Sequence, residues 1–338
     1  MNKLLRRTLV GVALGAMLYA AAVVYFGAQE VGTALRGYGW WAVGAAIGLS
    51  SVNYLLRFWK WELCLKWLDV RGDGPEDAPN LSLGRSLQIY LAGLSMSVTP
   101  GKLGEVLRSW LLKSSDGVSF GRTAPVVVAD RATDLLALII LSLVGITRFT
   151  EYLPHVVVTL VLVAAGIVVL GNPRLTQAIL RVCTRLPVVG KLFAKAEDMI
   201  DSSAELLKLR RLLPLTLISV VGWGLECVGY WVILKGFPGV EASLTLCTFL
   251  WATTTIIGAI SFLPGGLGAT EGSLGVLVAR LAIGVTQPIA LASTLLIRAC
   301  TLWYGELVGG IALAAFMRDP QLRARAENTS MDGETAEA

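Results

Sequence analysis

Two stretches of this chain have the residue types and spacing to hold a charged ligand. The first is Thr99-Pro100-Gly101-Lys102-Leu103-Gly104-Glu105 with Arg108 close behind; the second is Pro264-Gly265-Gly266-Leu267-Gly268 with Glu271 close behind. Downstream of each, an arginine stands in an apolar run: Arg131 in VVADRATDLLAL and Arg298 in LLIRACTLWYGE. Proline breaks a helix and glycine lets backbone come close to a ligand, so each motif restarts a helix whose first N–H groups lack partners. Such an end suits an anion of phosphate size. Lys102, Arg108, Arg131 and Arg298 would add charge-assisted donors, with Arg57 as a further candidate.

Glu105, Asp130, Asp134, Glu226, Glu271 and Glu306 are the acids at comparable depth. Two roles are open to them. They pair with the arginines, as Arg131 with Asp134 three residues on or Arg298 with Glu306 two turns on, or they carry protons, with Glu105 and Glu271 as the candidates. Glu271 also reads as a cap for the helix after Gly268. Of the two cations late in the run 39–65, Lys60 reads as snorkelling to an interface, and Arg57 reads equally as that or as a pathway residue.

No catalytic residue, metal site or cofactor is expected. The sequence has no Walker loop, no H-E-x-x-H, no G-x-S-x-G and no paired metal ligands, and Gly265-Gly266-x-Gly268 lacks the βαβ context of a dinucleotide site. Five scattered cysteines build neither a zinc site nor a disulfide framework, and the single His155 reads as an interfacial side chain.

The elements that must position these residues are membrane helices. Of the 338 residues, 55% are hydrophobic and 16% charged, against about 25% charged in soluble domains, and the mean hydropathy is +0.67. The fold class is therefore all-α and polytopic. The net charge of +5 is spread between apolar runs and reads as a topology signal, so nucleic acid is not a partner. Six full spans are expected: 8–26, 39–65, 123–147, 153–170, 212–234 and 289–316. Two segments are broken instead. In 83–112 each apolar piece is too short for roughly 30 Å of hydrocarbon, and in 244–283 the second motif interrupts the run. A break at membrane depth is tolerated only where protein or a wet cavity covers it, so both read as re-entrant hairpins.

The basic stretch 172–211 links the two halves, and Leu192, Phe193, Ala196, Met199, Ile200, Leu206 and Leu207 suggest a helix lying on the cytoplasmic membrane surface, or one packed on a partner. Residues 1–316 form one membrane domain, and 317–338 read as a disordered cytoplasmic tail. With both termini cytoplasmic, most Lys and Arg fall inside and Arg36, Arg148 and Lys235 outside, and making either hairpin a full crossing would spoil that bias. Pro100 and Pro264 are 164 residues apart, and Arg131 and Arg298 are 167 apart. A nearly constant offset argues for a duplicated unit, about 39–150 and 212–316, whose copies have opposite orientation, an architecture found in many transporters.

Taken in order, TPGKLGEVLRSWLL, VVADRATDLLAL, SFLPGGLGATEGSL and LLIRACTLWYGE resemble the lysylphosphatidylglycerol synthase transmembrane-region family, over about 4–316. The resemblance implies an integral protein of the cytoplasmic (inner) membrane of a bacterium or archaeon. It is related to the domain that, in the lysylphosphatidylglycerol synthase/flippase, moves a modified phospholipid between leaflets. The residues after Phe316 are too few for an aminoacyl-transferase domain, so lipid aminoacylation is not expected. The implied activity is flippase-like transport of an anionic phospholipid, a hopanoid-type lipid or a polyprenyl-phosphate carrier. The alternative is a non-transporting membrane partner of a lipid-modifying or glycosyl-transferring enzyme.

Overall fold

The computed structural model describes residues 28–70, 81–99, 105–145, 153–183 and 197–319. Among them every element is helical, apart from one isolated bridge between Glu241 and Ile283. After the short α1 (Ala28–Ala34), the expected run 39–65 is a 27-residue helix, α2 (Trp41–Trp67). The broken segment 83–112 is a pair of short helices, α3 (Leu83–Leu94) and α4 (Leu107–Asp116), packed on one another. At 12 and 10 residues each is about 15–18 Å long, well short of a bilayer core. Ser82 caps α3 by accepting a hydrogen bond from Arg85 N.

A single turn, α5 (Phe120–Thr123), leads into α6 (Pro125–Leu143), which opens on a proline where its missing N–H costs nothing. Helices α7 (Leu153–Leu170), α8 (Pro173–Cys183) and α9 (Glu197–Leu206) follow. The expected surface helix differs from what is found. Ile200, Leu206 and Leu207 are buried, and α9 packs on α5 and α6, so its apolar side is covered by this chain itself. Leu192, Phe193 and Ala196 lie outside the described residues, as do the run 8–26 and the tail beyond Asp319.

The second half begins with α10 (Leu209–Lys235), 27 residues long. Then comes a second folded-back pair, α11 (Leu244–Ile260) and α12 (Ala269–Leu281), joined through a 3-10 turn at Pro264–Gly266. The last run is α13 (Gln287–Arg298), a π turn (Ala299–Trp303) and α14 (Tyr304–Met317). Together they make 31 continuous residues, and this run and α10 are the two described helices both long and apolar enough to cross a membrane.

The contacts fix how these pieces stand. Helices α2 and α10 pack antiparallel: Gly39 N donates to Gly236 O at one end, and the Arg211 guanidinium donates to Trp67 O at the other. Two apolar clusters lie toward those ends. One joins Tyr38, Phe237, Val240, Ala282 and Val285 with Phe249, Leu274 and Val278 of the α11–α12 pair. The other joins Leu68, Val70, Leu81, Leu212 and Phe316 with Ile89, Tyr90, Leu107 and Leu112 of the α3–α4 pair. The α11–α12 pair thus packs toward one end and the α3–α4 pair toward the other. Large apolar side chains also face outward, among them Leu55 and Trp59 of α2, Val161 and Leu162 of α7, Leu213 and Leu217 of α10, and Leu307 and Ile311 of α14. Apolar surface on this scale is what a lipid environment leaves uncovered.

Candidate functional site

The hairpin tips meet at Gly265 and Val98. Gly265 has a φ of 60°, in the left-handed region, and a β-carbon placed on it would sit 3.4 Å from Val98 Cα and 3.5 Å from Leu302 Cδ2. The left-handed backbone favours glycine there, whereas a β-carbon would make only ordinary contact with the first tip.

The α13–α14 run holds both tips. Arg298, just before the π turn, donates from Nε to Glu271 Oε1 and from NH2 to Gly265 O, each at 2.7 Å. Glu306, just after it, accepts from Val98 N at 2.8 Å. The wider π turn takes up one extra residue, so the eight-residue separation acts like seven, close to two helical turns, and both side chains face the tips. Tyr54 of α2 supports the turn, its hydroxyl 2.5 Å from Thr301 O. The expected pairing of Arg298 with Glu306 is therefore corrected: Arg298 takes Glu271 and Glu306 takes a backbone N–H. Glu271 has the capping role, accepting from Gly268 N at 2.7 Å. The N-terminus of α12, expected to be open to an anion, already carries this carboxylate.

Beside the first tip lies a buried cluster of seven charges. Arg57 and Lys60 come from α2, Glu105 and Arg108 from the start of the second arm, and Asp130, Arg131 and Asp134 from α6. Asp134 is the hub, bonded to Arg57, accepting from Ser219 of α10 at 3.0 Å, and lying 3.3 Å from Lys60 Nζ and 3.1 Å from Arg131 NH2. Lys60 also reaches Asp130 Oδ1 at 2.9 Å and Ser219 Oγ at 2.8 Å. Arg131 reaches Glu105 Oε2 at 2.9 Å. Arg108 lies over the Tyr90 ring at 4.2 Å and 3.6 Å from Asp130 Oδ2. Among the described residues, four cations thus face three carboxylates. Two guanidinium N–H groups, Arg108 Nε and Arg131 Nε, are buried without an acceptor among the described residues. A buried donor left unpaired costs about 1–3 kcal/mol.

The profile of the family described as lysylphosphatidylglycerol synthase TM region matches residues 8–309. This chain belongs to that family. As a lysylphosphatidylglycerol synthase TM-region protein it is a membrane protein, and the apolar outer faces of its helices fit that setting. It is similar to a UPF0104 membrane protein of Methanothermobacter thermautotrophicus, 25% identical over 90% of this chain and 94% of the relative. A second such protein of the same organism is 21% identical over 88% of this chain and 90% of its own length. A UPF0104 membrane protein of Pyrococcus horikoshii is 23% identical over 79% of this chain and 84% of the relative.

Within this TM-region protein, Arg57, Arg108, Arg131, Glu105, Asp130 and Asp134 converge in one network, whereas Arg298, Glu271 and Glu306 serve the hairpin tips. Pro100, Gly101, Lys102 and Gly104 lie outside the described residues. Pro264, Gly265, Gly266 and Gly268 form the second tip, the three glycines all at positive φ. Glu226 stands apart, accepting from Asn53 Nδ2 at 2.6 Å and Trp251 Nε1 at 3.3 Å. Lys60 is the main correction. Its side chain is 1% exposed and bonded inside the cluster, not snorkelling outward. The sequence held a signal for it, because Asn53, Arg57 and Lys60 recur at helical spacing on one face. Ser219 and Tyr90 gave none.

Proposed function

We propose that the protein moves an anionic lipid across the cytoplasmic membrane, its head group passing between the two hairpin tips and its tails staying in the bilayer. The observation that supports this most is the cation excess among the described residues beside the meeting tips, where the Arg108 and Arg131 Nε–H groups lack an acceptor. A phosphate on those donors would neutralise the excess and complete their hydrogen bonds. Arg131, its side chain 26% exposed, is the cation a head group reaches first. Hairpins opening toward opposite ends fit an inverted repeat with a site near the midplane. They give each leaflet its own approach to one site. In this reading both termini face the cytoplasm, and the residues that act bind and pass on the lipid without covalent chemistry.

The test is transport of fluorescent phosphatidylglycerol in vesicles holding the purified protein. Arg131→Ala abolishes it while the melting curve shows a folded protein. Unchanged transport by that variant would refute the site. No transport by the wild type, together with a stoichiometric enzyme co-purifying from the native membrane, would favour the role of a non-transporting partner.

A further inference from the structure

A second cationic site lies away from the cluster, at the end of the molecule where α2 finishes and α10 begins. Trp67, Glu205, Lys208, Arg210 and Arg211 line a cleft of about 350 Å³. Arg211 forms its floor, donating to Trp67 O at 3.0 Å, bridging to Glu205 Oε1 at 2.7 Å and lying 5.5 Å over the Trp67 ring. Lys208 bonds the same Glu205, and that hydrogen bond holds the carboxyl below its ordinary value, so it stays ionised. Lys208 and Arg211 then share one carboxylate, and Arg210 lines the cleft beside them. Lys208 and Arg210 are exposed at the mouth. From that mouth the exposed side chains of Leu209, Leu213 and Leu217 run down α10, one helical turn apart.

We propose that this cleft binds one anionic phospholipid at the membrane interface, its phosphate on Lys208 and Arg210 and an acyl chain along the leucine stripe. The charge complements a lipid phosphate, and Trp67 has the ring chemistry favoured at head-group depth. An acidic protein segment would use the cations and leave the leucines without a role. The inference rests on the membrane location and not on transport, so it stands or falls separately from the function proposed above.

The experiment is native mass spectrometry of the full-length protein titrated with phosphatidylglycerol, with phosphatidylcholine and glycerol phosphate as comparison ligands. Each basic residue near a membrane surface is worth roughly a fivefold preference for anionic lipid, so Lys208→Gln with Arg210→Gln weakens retention of one phosphatidylglycerol about 25-fold. The charge-conserving pair Lys208→Arg and Arg210→Lys retains it. Unchanged retention in the glutamine pair would overturn the proposal. So would equal retention of phosphatidylcholine, or glycerol phosphate binding as tightly as the lipid.

Discussion

Replacing Asp134 by asparagine removes the carboxylate at the hub of the charge cluster while keeping an oxygen for Ser219. Taking one partner from a buried ion pair costs roughly 3–5 kcal/mol, because the other charge is left uncompensated. Here the loss is shared unequally. Lys60 keeps Asp130 at 2.9 Å, and Arg131 keeps Glu105 at 2.9 Å. Arg57 loses the carboxylate it is bonded to, and its side chain is 16% exposed, which allows some relief by water. The expected cost is therefore at the lower end, about 3 kcal/mol. Adding Arg57→Met removes the stranded cation, so the double variant should recover about 2 kcal/mol relative to the sum of the two single changes. Reversible unfolding in mixed micelles, followed by tryptophan fluorescence, measures the cycle. A double variant as unstable as the sum of the singles would refute the reading of these residues as one coupled network.

Two further variants address the tips. Gly265→Ala forces a side chain into the left-handed region, at about 1–2 kcal/mol, so its melting midpoint falls and lipid transport slows. Glu306→Ala leaves the Val98 N–H without its acceptor, at about 1–3 kcal/mol, whereas Glu306→Gln keeps an acceptor and stays close to wild type in the same melting assay.

Much of the fold was legible because membrane physics is strict. The apolar runs 39–65, 212–234 and 289–316 match α2, α10 and α13–α14 to within about three residues, a usual end error. The two Pro-Gly motifs were visible as breaks because nothing else interrupts an apolar run so sharply. The partners of the charges were harder to read. Arg131 with Asp134, one of the two roles the sequence leaves open, is a local pair three residues apart on one helix. A pair of Arg298 with Glu306 is one of the roles open to two residues on one run, but the π turn points them at two different tips, and no residue pattern announces a π turn. Lys60 was misread because a lysine near the end of an apolar run has a cheap way out to water. What turns it inward is Asp130 and Asp134 of α6 and Ser219 of α10, which are distant in sequence.

The most direct measurement is lipid exchange by the wild-type protein alone. Vesicles containing purified protein and fluorescent phosphatidylglycerol are treated with dithionite, which destroys label only in the outer leaflet. The account predicts that nearly all the label is lost, because inner-leaflet lipid is carried outward through the site between the tips. Loss of the outer-leaflet share alone, the same as in protein-free vesicles, would contradict it.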